Sequence, residues 1–485
     1  MSSPNNVPTF AVWTCLCGLL LAAPLSRAQG GALGADRSIP PTPTPVGSGA
    51  RAAGMANAFI AIADDATAAS WNPAGLVQLE CPEISVVGSH LRLQDRLTAS
   101  AVPEFDGVHD VDSWDLNYLS VAYPLPRPVF GSNVTISLNY QRKFDFVRTF
   151  DGRMNTATVA PLTPPILISQ FSNLDFTQDG SLSTLTPAIA FELTHKLSLG
   201  IALNLWRDSF LSRNEWRQTT RTAGVTLLGA SPVLSYGISR EKYSDFSGEN
   251  VTLGLLWKPN PRWSFGARYD SAFTGTTNYR AHDLELRLNL ANAVVRPSIN
   301  AMPTISRRSI KIPDTLALGA AYRANDRLTL ALDVSRTDWN DLIAKDSGGR
   351  RFSLVDGTDL ANALQRTHLD PAYTVRLGGE YVFIPREPGD DLPMLWSLRG
   401  GLFYEEEPAT NRSTRNYFSR GDGDPDSFYG AALGVGLLIG QRVNLDLAYQ
   451  VRYGPGVNHD MNPGADGYDD DELRHRVLLS TVIYF

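Results

Sequence analysis

Along most of this chain apolar and polar residues alternate one by one. The clearest run is Val443 to Tyr453, where Val443, Leu445, Leu447, Tyr449, Val451 and Tyr453 interleave with Asn444, Asp446, Ala448, Gln450 and Arg452. A period of two puts the first set on one face of a β-strand and the second on the other. Leu328, Leu330, Leu332 and Val334 stand in the same relation to Thr329, Ala331, Asp333 and Ser335, and Leu197, Leu199, Ile201, Leu203 and Leu205 to Ser198, Gly200, Ala202 and Asn204. The pattern predicts about fourteen strands, starting near residues 83, 114, 133, 183, 197, 248, 262, 309, 327, 370, 394, 426, 441 and 473. Each is roughly ten residues long, the length a tilted strand needs to cross a bilayer.

Turns such as His195-Lys196, Pro259-Asn260-Pro261, Asn325-Asp326 and Gly440-Gln441 join some of these segments, whereas connections of roughly 15 to 40 residues join the others. Short turns at one end and long loops at the other are the layout of an outer-membrane barrel. Aromatic residues stand at many predicted strand ends, among them Tyr123, Trp206, Trp257, Trp263, Tyr322, Trp339, Tyr381, Trp396 and Tyr404, where they would form interfacial girdles. The chain ends in Phe485 on a final amphipathic strand, and this resembles the assembly signal of bacterial barrel proteins. A soluble β-sandwich would also alternate, but its apolar face needs an apolar partner. Here the opposite face repeatedly carries Gly, Ala, Ser, Asn and charge, as a wet or plugged lumen would. The expected fold is an all-β transmembrane barrel of about fourteen antiparallel strands.

The first 82 residues break the pattern. Residues 1–28 carry an apolar core from Phe10 to Ala23 and end in Ser26-Arg27-Ala28, which reads as a secretory signal, although its first ten residues hold no Lys or Arg. Residues 29–47 form a lead containing Pro40, Pro41, Pro43 and Pro45. Within residues 48–82, Gly49 to Leu76 read GARAAGMANAFIAIADDATAASWNPAGL, too rich in Ala and Gly for a strand and too apolar for a surface linker. Such a segment needs burial, and the lumen of the barrel formed by residues 83–485 would supply it.

Composition narrows the function. A net charge of -7 and a pI near 5.6, with no basic run, argue against nucleic-acid binding. Cys15 and Cys17 lie in the signal, which leaves Cys81 alone in the mature chain, so no internal disulfide or Cys-based metal site is expected. The seven histidines are scattered, and no nucleophile elbow, zinc-protease helix or phosphate-cradling loop is present. No cofactor, metal or enzymatic activity is expected.

Three stretches carry a resemblance to a known family: GARAAGMANAF at Gly49 to Phe59, ADDATAASWNPAGL at Ala63 to Leu76, and IPDTLALGAAYRANDRLTLALDVSRTDW at Ile312 to Trp339, with a weaker echo in RLGGEYVF at Arg376 to Phe383. The chain resembles the FadL-type outer-membrane transporters of long-chain fatty acids and aromatic hydrocarbons. The resemblance implies a fourteen-stranded barrel whose N-terminal segment folds into the lumen as a hatch. It also implies passive uptake of a hydrophobic cargo, such as a long-chain fatty acid, with a sideways exit beside a kinked third strand. The expected location is the outer membrane of a Gram-negative bacterium, among its lipid and lipopolysaccharide, as a monomer. The alternative is a barrel of the same type that anchors or shuttles secreted proteins.

Asn72-Pro73-Ala74 matches the family's motif in the hatch, and it also reads as a helix start with Asn72 as cap and Pro73 in the first position. Asp64 and Asp65 would either pair with lumen arginines or form a solvated turn. A fatty-acid carboxylate needs a cation in a partly dry pocket, and alternation turns Arg268, Arg376, Arg399 and Arg452 inward, beside Asp270, Asp333, Glu380 and Asp446. These charges would hold ligand or neutralise one another. Strict alternation in Val134 to Phe146 would turn Arg142 toward lipid, so this strand is irregular there or Arg142 lies beyond the membrane; the strand has no Gly to kink it. Val225, Leu227, Leu228, Val233 and Leu234 would form either a hydrophobic landing groove in an external loop or a short strand extending the barrel. The acidic sets Asp422, Asp424, Asp426 and Asp466, Asp469, Asp470, Asp471, Glu472 would be calcium sites or solvated loops.

Overall fold

The computed structural model describes residues 47–485 apart from 100–106, 130, 161–165, 229–230, 290–293, 300–303, 354–359, 361–369, 385–393, 409–424 and 458–467. The signal and all but Gly47 of the Pro-rich lead lie outside the described residues.

Fourteen strands form a ring of staves: β1 (Glu83–Ala99), β2 (Gly107–Pro124), β3 (Val134–Asp145), β4 (Ile166–Thr194), β5 (Leu197–Trp206), β6 (Ser231–Asn260), β7 (Trp263–Asp270), β8 (Thr315–Arg323), β9 (Leu328–Thr337), β10 (Ala372–Phe383), β11 (Met394–Glu407), β12 (Asp426–Ile439), β13 (Val443–Val457) and β14 (Tyr468–Tyr484). Each pairs antiparallel with the next, and β14 pairs with β1 from Glu83–Tyr484 to Ala99–Tyr468. The ring therefore has no free edge. Closure of this kind lets a β-structure sit in hydrocarbon, because every backbone group finds a partner within the wall. No helix among the described residues is long and apolar enough to cross a membrane.

The alternation maps onto the two faces of the ring. Outward-facing Leu199, Ile201, Leu318, Leu330, Leu332, Leu433, Val435 and Leu447 are exposed, as lipid contact requires, while inward Ala202, Ala331, Ala432 and Ala448 are buried. Tyr123, Trp257, Trp263, Tyr381 and Trp396 form an exposed belt toward the short turns, and Tyr269, Tyr373, Tyr429 and Tyr453 a second toward the long loops. Trp206 and Trp339, expected in the girdles, instead face inward and are 4% and 7% exposed. The short turns are built by local chemistry. Asn260 and Asn325 each accept two backbone N–H bonds from the residues that follow, and Gly440 and Gln441 both take the positive φ that a two-residue hairpin demands.

Several staves outrun the bilayer. β2, β4, β6 and β14 begin at 107, 166, 231 and 468, before the expected starts near 114, 183, 248 and 473. Their extra length carries apolar residues such as Ile166, Ile168, Phe171, Val233 and Leu234 but no sustained alternation, so hydropathy periodicity sets the boundary too late. The extensions of β4 and β6 join strands Arg148–Ala160, Glu215–Leu228, Phe273–Asn289 and Thr304–Ile312 in a raised rim above the ring. The segment expected to start near 309 is split for the same reason. Residues up to Ile312 belong to the rim, and β8 starts after Pro313.

Candidate functional site

Residues 47–79 pack within the ring. They form helix α1 (Ala50–Gly54), a loop, helix α2 (Ala68–Trp71) and a 3-10 helix (Pro73–Gln78), and nearly every side chain is buried. Segments this short are not stable helices by themselves, so the wall must hold them. Inward carbonyls and side chains from all round the ring do so. Ser480 and Gln450 bond Ala50 and Ala53, Tyr118 and Ser120 donate to the Ala66 carbonyl, and Ser264 donates to that of Ala61. Asp333 accepts the Phe59 and Ile60 N–H groups at 2.7 and 2.9 Å.

The wall's inward glycines have a particular use. A Cβ at Gly200 or Gly254 would collide with Pro73 or Asn72, one at Gly266 with the Ile60 carbonyl, and one at Gly378 with that of Met55. Glycine lets two backbones meet where any side chain would separate them. The small residues that alternate with the lipid-facing leucines thus make room for the inner segment.

Asn72 begins the 3-10 helix as a cap, its Oδ1 accepting from Ala74 N–H at 3.1 Å, with Pro73 in the first helical position. Its Nδ2 donates to Ile60 and to Leu255 of the wall, each at 2.9 Å, so one side chain ties two parts of the inner segment to β6. Asp64 and Asp65 reach no arginine of the wall. Asp64 pairs with Arg51 of the same segment at 2.6 Å, and Asp65 accepts from Thr67 N–H at 2.8 Å. Burial pushes the Asp65 carboxyl upward, opposed by Arg51 and Thr67. The link to the wall is Arg51 itself, which bonds Glu380 at 2.8 and 3.0 Å. Sequence reasoning missed it because Arg51 looks like a lone charge in an Ala-rich run.

All four candidate arginines point inward, and each is engaged. Arg399 bonds Glu380 at 2.7 Å and Asp446 at 2.6 Å. Arg376 bonds Glu405 at 2.9 Å. Arg452 pairs with Glu407, lies 3.7 Å from Glu405, and stacks on Phe428. Arg268 bonds Asp270 at 2.6 Å and donates to the Ser70 carbonyl at 3.1 Å. Buried charges are costly unless compensated, and here each guanidinium has its carboxylate.

A cavity of about 170 Å³ lies between the inner segment and one side of the wall. Ile60 and Trp71 border it from the segment, and Phe144, Trp206, Phe273 and Trp339 give it aromatic walls. Trp206 stacks on Phe144 and Phe273 with ring centroids 5.4 and 5.2 Å apart. Gln141 and Lys143 of β3 also line it. Here the pairing of the wall is interrupted on both sides of β3. The ladder between β2 and β3 runs from Pro124–Thr135 to Tyr118–Gln141 and stops, and the pairing of β3 with β4 slips between Arg142 and Phe144. This β-bulge turns Arg142 away from lipid to pair with Asp115 of β2 and Asp145. The third strand is thus irregular without a glycine.

The loop patch is a hairpin of the rim. Val225 pairs opposite Leu234 and Leu227 opposite Pro232, which puts Val225, Leu227 and Leu234 on one face, whereas Val233, opposite Thr226, lies on the other. The backbone of Leu228 ends the first strand, and its side chain lies outside the described part. Of the acidic sets, Asp422, Asp424 and Asp466 lie outside the described residues, as do the side chains of Asp469 and Asp470. Glu472 is buried and pairs with Arg474 at 3.0 Å, and Asp471 accepts from Gly456 N–H at 2.9 Å. These two are bound within the barrel end.

Solved structures with this architecture include a FadL homologue of Pseudomonas aeruginosa, at 16% identity over 91% of this chain and 99% of that one, TM-score 0.54. The toluene transporter TbuX of Ralstonia pickettii matches at 14% identity over 91% and 99%, TM-score 0.50. A deletion mutant of the monoaromatic hydrocarbon channel TodX matches at 13% over 90% and 99%, TM-score 0.51. At such identities the likeness shows the fold alone. None of the curated proteins matches the chain in sequence. The family model of the outer membrane protein transport proteins (OMPP1/FadL/TodX) matches residues 170–459. That is more than half of the chain, and this outer-membrane β-barrel belongs to that family of transport proteins.

Proposed function

We propose that the barrel passes hydrophobic compounds, long-chain fatty acids among them, inward by diffusion. On this reading residues 48–82 are a hatch that closes the lumen to polar solutes, and cargo leaves sideways between β2 and β3. One observation carries it: the aromatic cavity beside the hatch is bordered by Gln141, Lys143 and Phe144, the part of β3 where the ladder to β2 has ended. An apolar molecule in that cavity is next to the seam and has no need to cross the packed hatch. Solutes partition into such a cavity by burying apolar surface, so no energy source is required. Arg142 and Asp115 pair across the seam and hold it when no cargo passes.

A second cargo class has its own support. The four aromatic walls suit flat rings, and TbuX and TodX are named for toluene and monoaromatic hydrocarbons. The barrel works as a monomer in this account, surrounded by outer-membrane lipid and lipopolysaccharide. Uptake of labelled oleate and of labelled toluene by liposomes holding the purified protein tests the reading. Saturable uptake of either supports it. If neither exceeds the rate of protein-free liposomes, while the protein captures secreted proteins, the barrel is an anchor or shuttle and not a transporter.

A further inference from the structure

The outward face of the rim carries arginines that nothing in the protein uses. Trp216, Tyr243 and Tyr279 stand opposite one another on strand Glu215–Leu228, β6 and strand Phe273–Asn289, and all three are buried on the lumen side. The next register row, Arg217, Lys242 and Arg280, therefore turns outward, on the same face as Val225 and Leu234. Exposed Arg240 lies two residues further along β6, and exposed Arg307, opposite Asn278, stands diagonal to Arg280. Like charges side by side on adjacent strands destabilise a sheet, so such a cluster calls for counter-charge. The carboxylates of this face are already engaged. Asp179 holds Arg217 at 2.7 and 2.9 Å, Glu215 holds Lys242 at 2.8 Å, Asp175 lies 3.4 Å from Arg221, and Asp245 accepts from Asn278 at 2.9 Å. Arg240 and Arg280 make no hydrogen bond or ion pair with any described residue, and Arg307 donates only to Thr276 Oγ1, at 3.3 Å. Exposed arginines need not stand alone on this wall. Arg92 pairs with Asp110 at 2.6 Å and Arg207 with Glu249 at 2.8 Å.

We propose that this face binds the phosphorylated sugar core of lipopolysaccharide, with Arg240, Arg280 and Arg307 on its phosphates. A guanidinium group suits the task because its planar fork meets a phosphate with two parallel hydrogen bonds. The level of the cluster decides which part of the lipid it meets. Along β6 the lipid-facing run of Trp257, Leu255, Leu253 and Val251 gives way at Glu249, and Lys242 follows seven residues beyond that point. At about 3.3 Å per residue this is roughly 20 Å along a tilted strand, which clears the acyl chains and reaches the sugars. The chain as a whole is acidic, with a net charge of -7, so the excess of cations is a local feature of this face. A bound core would fix the height and rotation of the barrel in the outer leaflet. The contact lies outside the lumen and does not depend on what the barrel carries.

The test uses purified full-length barrel in detergent and a deacylated, phosphorylated core oligosaccharide, so that no acyl chain can partition into the micelle. Isothermal titration should show saturable binding that weakens as salt is raised and is lost when the oligosaccharide is stripped of its phosphates. Arg280→Gln should weaken binding by about three-fold, the worth of one exposed charge contact, and the triple variant Arg240→Gln, Arg280→Gln, Arg307→Gln by about ten-fold or more. Arg207→Gln, which removes a paired charge outside the cluster, should leave binding unchanged. Heat-modifiable migration on gels confirms that each variant remains a folded barrel. Equal binding of the phosphorylated and stripped oligosaccharides, undiminished binding by the triple variant, or no saturable binding at all overturns the inference. Polyglutamate that binds as tightly as the oligosaccharide overturns it too, since the face would then be a plain excess of cations. None of these outcomes bears on the transport reading, which rests on the lumen and the β2–β3 seam.

Discussion

The two sides of the inner segment meet very different walls. Under α1, Arg51, Glu380, Arg399 and Asp446 form a continuous set of ion pairs with every contact at 3.0 Å or less, and Asp333 caps the Phe59 and Ile60 amides. Polar groups there are satisfied, and the backbones close to glycine contact. Beside α2, aromatic rings of the wall line a cavity that Ile60 and Trp71 border from the inner segment. Buried charge is tolerated when compensated and is otherwise expensive. On the transport reading proposed above, the compensated side anchors the hatch and the cavity side receives cargo.

Removing the anchored element altogether should have the largest effect. Deletion of Gly49 to Leu76 is expected to leave an assembled barrel with raised, unselective conductance to small polar solutes in planar bilayers. Unchanged conductance would mean that the lumen is closed by something else. Next comes the charge network. Arg399→Leu leaves Glu380 and Asp446 short of their shared partner in a buried site, which should cost about 3–5 kcal/mol in urea unfolding monitored by heat-modifiable migration. A loss below about 1 kcal/mol would place these charges with surface pairs, whose worth is that small. Smaller again is a steric test. Gly254→Val, which pushes a side chain into Asn72, should cost about 1–3 kcal/mol and raise conductance, while Gly400→Val, where an added Cβ meets only ordinary contacts, should leave conductance unchanged. Equal effects would show that the hatch does not depend on close approach at Gly254.

Much of this barrel was legible in the sequence because lipid on one side and a packed lumen on the other impose a strict period of two. Leu330, Leu332 and Val334 against Ala331 and Asp333 give the two faces directly, and each of the fourteen expected segments corresponds to one stave. The rim was legible only in part: a short strand extending the barrel was one reading of Val225 to Leu234, but the inward face of Glu215–Leu228 carries Gln218 beside Trp216 and gives no sustained apolar alternation. Trp206 and Trp339 were misplaced for a related reason. A tryptophan at a strand end serves equally as a girdle or a cavity wall, and only the ring's geometry decides. Alternation turned the four arginines inward correctly, but their partners come from other staves or from a neighbouring position, which no local pattern announces. The lumen side of β3 was not legible because the strand bulges. Once Arg142 turns from lipid to Asp115, strict alternation no longer says which residues of β3 border the lumen.

The central claim is that cargo crosses the wall at the end of the β2–β3 ladder. The most direct test places thiols on its two sides with Asp115→Cys and Arg142→Cys, in a Cys81→Ser background so that the free native thiol cannot interfere. The two are bridged by a short bifunctional thiol reagent, and uptake of a labelled hydrophobic cargo into liposomes is compared before and after bridging. The account predicts that the unbridged double variant transports, and that verified bridging of the seam abolishes uptake while leaving cargo binding in the cavity intact. Uptake that continues at the same rate through a fully bridged seam would contradict it.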